Sequence, residues 1–293
     1  MCIRLTSEGS RMSIRASVTI PVLNGASVLP SQLEALANQT FAGGFEVIVS
    51  DNGSVDGTQN IANQFATRFA SLLVVDASDK RGPAHARNVG AQAARGQLLL
   101  FCDADDVVSP HWLEAMVQAS GEAALLGGMG TYVTDPRRHD SSHTSSPGLP
   151  AFPFLPWVKS ANMGIDRDVF FALGGFDESR LTGEDVDLCW RAQLTGHSMT
   201  FVPQAFIMYR ERDTLRASMC RRYTFGRAAY FLYKDFGPDG APQPDLKWAL
   251  RGSLRVFAGV YKAPFSALQR RLLLATASGI AGRCVSVLLR RKP

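Results

Sequence analysis

The sequence has few cysteines, and none of them are spaced as a metal-binding or redox pair. It has five among 293 residues and no C-x-x-C pair: Cys2, Cys102, Cys189, Cys220 and Cys284. An odd, dispersed set gives neither a disulfide framework nor the ligand cluster of a structural zinc site. A small disulfide-stabilised secreted domain is therefore excluded, and a reducing compartment is indicated.

The sequence also lacks an apolar segment suited to crossing a membrane or directing secretion. Its N-terminus carries Arg4, Arg11 and Arg15, but no apolar stretch follows them. The longest apolar run, Leu272 to Leu289, has Arg283 near its middle. An arginine at the centre of a span costs roughly 2.5 kcal/mol or more. We therefore expect a cytoplasmic protein without a simple transmembrane helix.

Charge is distributed unevenly along the chain. The net charge is +5, but residues 1–209 contain 14 basic and 21 acidic residues, whereas residues 210–293 contain 17 and 5. The basic C-terminal part predicts an anionic partner. Its arginines are interleaved with Leu, Phe, Val and Tyr, which favours either a peripheral helix on an anionic membrane surface or a helical region packed on the preceding domain. Nucleic acid is not expected, because no recognised binding module is present.

Strand-like and helix-like segments alternate over the first hundred residues. Apolar and β-branched runs predict strands at 16–23, 45–50, 72–75 and 97–102, and a further strand later in the chain at 199–203. Helical periodicity predicts helices at 27–39, 58–69 and 83–95. This alternation predicts an α/β fold with a doubly wound, mostly parallel central sheet and helices on both faces.

Polar residues follow three of these strands. Because ligands of such sheets bind at the carboxyl ends of the strands, Asn24, 51–56 and 103–106 should converge there.

Two carboxylates in this set predict a metal site. Side chains alternate along a strand, so Asp103 and Asp105 could point the same way. Together they offer a hard oxygen site for Mn²⁺ or Mg²⁺. The alternative is a helix cap, with Asp106 or Ser109 preceding a helix that begins at Pro110.

Six ordered motifs carry a family resemblance. They are Val18-Thr-Ile-Pro-Val-Leu-Asn, Val47-Ile-Val-Ser-Asp-Asn-Gly-Ser-Val-Asp-Gly-Thr, Gly82-Pro-Ala-His-Ala-Arg-Asn-Val-Gly, Leu99-Leu-Phe-Cys-Asp-Ala-Asp-Asp, Gly174-Gly-Phe-Asp-Glu and Gly183-Glu-Asp-Val-Asp-Leu-Cys-Trp-Arg. The chain resembles the family-2 glycosyltransferases of GT-A fold over roughly residues 17–212. We therefore predict an N-terminal extension (1–14), a GT-A catalytic domain (15–212, with a nucleotide-sugar half to about 110) and a basic helical C-terminal extension (213–293).

The resemblance implies a role for each matching residue. Nucleotide-sugar binding would fall to Pro21, Val22, Asn24, Asp51, Asn52, Arg87, Asp103 and Ala104. The metal ligands would be Asp103 and Asp105. Asp185 would be the catalytic base, with Glu184 beside it, because an acceptor hydroxyl needs a carboxylate to take its proton. Direct in-line attack would invert the anomeric carbon. The other interpretation of Glu184 and Asp185 is an acidic first helical turn.

Three departures from the family pattern matter. Many relatives carry Asp where this chain has Asn52, which bears on the choice of base. Tyr209 stands where relatives often have a histidine that completes the metal shell. The QxxRW motif of processive synthases is absent, so transfer of a single sugar is favoured.

The predicted partners are a UDP-, GDP- or dTDP-sugar donor and a glycan or lipid-linked acceptor of the cell envelope. The polar segment Thr134 to Pro150 is predicted to be a lid loop, and acceptor choice is expected to involve Phe152 to Trp157. The alternatives are a nucleotidyltransferase, which would need a Gly-rich phosphate loop after the first strand, and a catalytically inactive nucleotide-sugar-binding scaffold.

Overall fold

The computed structural model describes residues 13–133, 135–136, 154–210, 214–242, 245–250 and 267–289. The predicted N-terminal extension and lid loop lie outside the described residues, except for 13–14 and 135–136. Of the segment expected to choose the acceptor, 154–157 are described.

The described strands form one mixed sheet. They are β1 Ile14–Val22, β2 Gly44–Asp51, β3 Leu72–Asp76, β4 Leu98–Cys102, β5 Val107–Val108, β6 Leu125–Val133, β7 Asn162–Asp166 and β8 Met199–Arg210. Their order is β3-β2-β1-β4-β7-β6-β8-β5. Neighbours from β3 to β4 pair in parallel, as do β6 and β8. The antiparallel pairs are β4–β7, β6–β7 and β5–β8. The predicted mostly parallel sheet is confirmed.

Helices cover both faces of this sheet. They are α1 Leu29–Ala37, α2 Thr58–Gln64, α3 Pro83–Ala93, α4 Trp112–Ala119, α5 Arg167–Ala172, α6 Glu184–Leu194, α7 Leu215–Asp235, α8 Leu246–Ala249 and α9 Ala267–Leu289, with a 3₁₀ turn at Ala66–Arg68. Leu98, Leu100 and Cys102 of β4 join the core beneath α1 and α4. Leu99 and Phe101 join a second core beneath α3, α5 and α6. The alternation of side chains along one buried strand thus supplies both cores.

Two features of the second half of the sheet differ from prediction. Strand β6 was not predicted, because its Gly127, Gly128 and Gly130 disfavour strand. A Cβ at Gly128 would lie 2.2 Å from the Ala205 carbonyl oxygen, so glycine is required by the close approach of β8. Strand β8 was expected to end at Pro203, but it continues past a bulge that holds this proline out of the ladder.

The helix-cap alternative for the acidic loop is wrong. Helix α4 begins at Trp112 with His111 at its N-cap, and no side chain caps it. Asp106 instead accepts a hydrogen bond from the Arg210 backbone N–H at 2.9 Å.

The first C-terminal helix packs on the sheet domain. Leu232 and Tyr233 of α7 are buried in the second core with Trp190. Helices α7 and α9 pack closely at two glycines: a Cβ added at Gly226 would lie 2.3 Å from the Gly279 carbonyl oxygen, so only glycine fits there. Packing of this region on the domain is therefore observed for α7. Within the described segments, no helix combines the length and apolar character needed to span a bilayer.

Candidate active site

The loops after β1 and β2, at the carboxyl edge of the sheet, are joined to each other by hydrogen bonds. Asn24, with a φ of 52°, accepts a hydrogen bond from the Val55 N–H at 2.9 Å, and its own N–H donates to Ser54 Oγ. Asp51 is fully buried and accepts from Ser54 and from Gln59 Nε2 at 2.6 Å. The loops after β1 and β2 are therefore held as one rigid unit. Pro21 and Val22 lie buried beneath it.

The Asn52 side chain ties this unit to the loop after β3. Its Nδ2 donates to the carbonyl oxygens of Ala77 and Lys80 (2.8 Å for Lys80), and its Oδ1 accepts from the Gly82 N–H at 2.9 Å. An amide supplies both donors and acceptor, whereas a carboxylate supplies acceptors alone. Asn52 thus orders residues 77–82, which lead into helix α3.

Changing Asn52 to Asp is expected to destabilise the fold. The new carboxylate would face two carbonyl oxygens that now accept hydrogen bonds, and Asn52 is only 5% exposed. We expect a loss of about 1–3 kcal/mol at pH 7, measured by urea unfolding. The loss should shrink at pH 4, where a protonated carboxyl donates again. Equal losses at both pH values would contradict this explanation.

The acidic loop after β4 brings three carboxylates together. One ligand oxygen from each of Asp103, Asp105 and Asp106 can lie within 4.8 Å of the others. Asp105 is exposed and Asp103 partly exposed, so a cation could reach them from solvent. Hard carboxylate oxygens on one open edge fit Mn²⁺ or Mg²⁺, whose remaining ligands are waters and phosphate oxygens. Ala104 is buried between them, near Gly25 of the first loop.

Gln32, which was not predicted as a site residue, positions the acidic loop through hydrogen bonds. This fully buried residue of α1 donates to the Asp103 carbonyl oxygen at 3.3 Å and accepts from the Val108 N–H at 3.0 Å. A glutamine on the apolar face of a predicted amphipathic helix was the signal that could have revealed it.

Arg87 joins the acidic loop to helix α6. Its guanidinium is 4% exposed and donates to Asp103 Oδ1 at 2.7 Å and to Glu184 Oε1 at 3.1 Å. Burial opposes the charge, but Asp103 and Glu184 more than compensate and raise the pKa of Arg87. Arg87, Asp103 and Glu184, all predicted site residues, are therefore brought into one chain of ion pairs.

Asp185 lies at the other end of this chain. It is the second residue of helix α6, which begins after Gly183, whose φ of 84° turns the backbone into the helix. The Val186 N–H donates to its Oδ1 at 2.9 Å and the Ser160 N–H approaches its Oδ2 at 3.4 Å. Burial, then the neighbouring Glu184 charge, raises the pKa of Asp185 to about 7. A carboxyl tuned near neutral pH has the property required of a general base.

Comparison with known proteins identifies the family. Residues 17–171, more than half of the chain, match the model of Glycosyl transferase family 2. The chain belongs to glycosyl transferase family 2. Glycosyltransferase AglE of Haloferax volcanii is 35% identical over 195 residues, which cover 63% of this chain and 63% of AglE. The chain spans less than two thirds of the length of the curated relatives that it matches.

Solved structures agree on the fold of this family-2 chain. Mannosyltransferase PcManGT from Pyrobaculum calidifontis, in complex with GDP-Man and Mn²⁺, aligns with a TM-score of 0.65 at 18% identity, covering 95% of this chain and 88% of that one. S. aureus TarS 1-349 in complex with UDP-GlcNAc aligns with a TM-score of 0.56 at 19% identity, covering 95% and 92%. The predicted GT-A fold is confirmed.

Tyr209 in this family-2 chain packs as a buried aromatic side chain. Its ring lies 5.2 Å from that of Tyr132, over Gly130, where a Cβ would lie 2.5 Å from the ring. Burial, then the negative charge of Asp106, raises the pKa of Tyr209 above its usual value. A neutral phenol is a poor metal ligand, in contrast to the histidine that relatives often have at this position.

His85 is buried and joins two loops. Its ring nitrogens contact Glu178 Oε2 at 3.0 Å and Asp79 Oδ1 at 2.8 Å. Burial opposes protonation, but both carboxylates raise the pKa of His85. Residues 77–82 are therefore fixed by Asn52 on one side and by His85 on the other.

Proposed function

We propose that this family-2 chain is an inverting glycosyltransferase that moves one sugar from a nucleoside-diphosphate sugar to an acceptor hydroxyl. The observation that carries the proposal is the chain of contacts from Asp103 through Arg87 to Glu184, next to Asp185. These contacts join an acidic loop that is open to a metal ion to a carboxyl group that is suited to act as a base. Both lie on one side of a sheet of the kind that binds nucleotides.

The donor side is assigned to the loops at the ends of β1, β2 and β4. Residues Pro21, Val22, Asn24 and Asp51 form the rigid cradle proposed for the base and ribose, with Asn52 shaping its neighbouring loop. Asp103 and Asp105 are proposed to hold Mn²⁺ or Mg²⁺, with Ala104 between them. When bound, such a cation would offset the negative charge that builds on the departing diphosphate.

The acceptor side is assigned to the start of helix α6. Asp185 takes the proton of the acceptor hydroxyl as its oxygen attacks the anomeric carbon from the face opposite the diphosphate, and this inverts the carbon. The Ser160 N–H helps to orient the carboxylate. Glu184, whose side chain is engaged by Arg87, positions Asp185 and contributes to its raised pKa.

For the acceptor, we propose a cell-envelope glycan or a lipid-linked sugar at the cytoplasmic face of a membrane. The support is the charge of the C-terminal part, residues 210–293, which contains 17 basic and 5 acidic residues. Exposed Arg216, Arg222 and Arg227 on α7 are suited to anionic lipid head groups.

A thermal-shift screen with UDP-, GDP- and dTDP-sugars, with and without Mn²⁺, tests the proposal. A ligand at about 100 times its Kd stabilises the protein by about 2.7 kcal/mol, which is a shift of several degrees in Tm. We expect one nucleotide class to give such a shift, and Mn²⁺ to enlarge it. Asp105→Asn should keep the Tm of the free protein but lose the Mn²⁺ increment. The control, Asp168→Asn at an exposed position of α5, should retain it. No shift with any donor would contradict the donor assignment.

A further inference from the structure

A lysine near the proposed reaction centre has no role in the function described above. Lys159 precedes β7, and its side chain is half-buried. Its ammonium lies 4.4 Å from the ring centroid of Tyr209 and 4.7 Å from that of Tyr132, and it donates to Tyr132 Oη at 3.2 Å. The flexible lysine side chain is thus held in one place by two aromatic faces.

The two rings form a built platform. Tyr132 and Tyr209 are paired in register on β6 and β8, with their ring planes inclined by 36°. Gly130 is the residue that admits the Tyr209 ring. Aromatic rings attract an ammonium without neutralising it. In the part of the chain that the structure describes, the ammonium of Lys159 contacts these two tyrosines, which leave its positive charge in place.

The platform lies between the acidic loop and the proposed base. Val107 of β5 pairs with Met208 of β8, so the next residue pair along this ladder is Asp106 and Tyr209. The Asp106 carboxylate also accepts from the backbone N–H of Arg210, next to Tyr209. On the other side, the residue after Lys159 is Ser160, whose N–H approaches Asp185. Lys159 is therefore anchored to both halves of the site.

The charges around the acidic loop call for a further cation. Three carboxylates and a donor diphosphate carry more negative charge than one divalent ion offsets. Arg87 is already shared between Asp103 and Glu184. An ammonium binds phosphate oxygens as a compact point charge.

We propose that Lys159 binds the β-phosphate of the donor and stabilises it as the leaving group. This inference rests on the proposed function. As the acceptor oxygen bonds to the anomeric carbon, the bond from that carbon to the β-phosphate oxygen breaks. Its electron pair leaves with the nucleoside diphosphate, and the acceptor proton goes to Asp185. Lys159 keeps its proton and offsets the charge gained by the phosphate.

Titration calorimetry on the full chain with Mn²⁺ tests the inference. The probes are UDP, GDP and dTDP, and then the monophosphate of whichever nucleoside binds. Lys159→Met should weaken diphosphate binding by about tenfold or more and change monophosphate binding little, because only the diphosphate carries the β-phosphate. Lys159→Arg, which keeps the charge, should retain most of the affinity. The control is Lys247→Met on α8, which should bind like the unmodified chain.

The outcomes separate the two proposals. If the unmodified chain binds a diphosphate and Lys159→Met binds it equally well, the role of Lys159 is wrong and the proposed function stands. Equal loss of monophosphate and diphosphate binding would assign Lys159 a structural role and overturn the inference. If the unmodified chain binds none of the three diphosphates, both proposals fail. Should Lys159→Met not fold, Lys159→Gln supplies the neutral side chain for the same comparison.

Discussion

Replacing Asp185 with Asn is expected to reduce sugar transfer by roughly 10²–10⁴-fold while leaving donor binding intact. The amide has nearly the shape of the carboxyl, and its oxygen can keep the shorter contact, from the Val186 N–H at 2.9 Å. Its NH2 group loses only the longer contact, from the Ser160 N–H at 3.4 Å. The amide cannot take a proton from the acceptor. The measurement is the rate of nucleoside diphosphate release from the donor that binds, together with the Kd for that donor.

The pH dependence of the unmodified chain gives a second readout of the same residue. With the pKa of Asp185 at about 7, the base is protonated below this pH and ionised above it. The rate should therefore rise about tenfold per pH unit below neutrality and level off above it. Asp185→Asn should remove this dependence.

Stability should respond in the opposite direction from activity. In the unfolded chain an aspartate ionises near pH 4, whereas burial raises the pKa of Asp185 in the folded chain to about 7. Ionisation of Asp185 thus lowers stability as the pH rises between these values. At pH 8 the Asn variant should have an equal or higher Tm. Unchanged turnover in this variant would remove Asp185 from the mechanism, and a strongly lowered Tm would show that the residue is structural.

The sequence predicted the half of the site that follows from local patterns. The buried β4 strand and the acidic residues after it are adjacent in the chain, so strand periodicity and the edge rule for parallel sheets placed Asp103 and Asp105 together. The start of α6 could also be predicted from the sequence, because Gly183 and the acidic residues after it are typical of a helix N-terminus.

The partners of those residues could not be predicted from the sequence, because they come from distant parts of the chain. Asp103 and Arg87 are 16 residues apart, and Arg87 and Glu184 are 97 apart. Gln32 reaches Val108 across 76 residues. The platform of Tyr132 and Tyr209 under Lys159 depends on β6, which was not predicted as a strand because of its glycines. Contacts of this kind depend on sheet order and helix placement, and no period in the sequence encodes them.

Replacing Arg87 with Met should be the most destabilising single change in the site. Its guanidinium is shared by Asp103, whose side chain is 34% exposed, and Glu184, whose side chain is 10% exposed. Water can solvate Asp103 when the arginine is lost, but Glu184 would remain as a buried charge without its counter-ion. Breaking such a buried pair from one side costs about 3–5 kcal/mol. Urea unfolding at pH 7 measures this loss.

The double variant Arg87→Met with Glu184→Gln tests the cause. If the cost comes from the stranded Glu184 charge, neutralising it should restore a large part of the stability, because a buried polar group is costly chiefly when one partner alone is removed. Arg87→Lys should fall between, since one ammonium cannot span two carboxylates as a guanidinium does. Arg68→Met, from a pair with Glu34 in which both side chains are about half exposed, is the control and should change stability little. If the double variant is no more stable than Arg87→Met, the loss arises from packing of the arginine, including its contact with the Phe176 ring at 5.8 Å, and the electrostatic link from Asp103 to Asp185 would have to be abandoned.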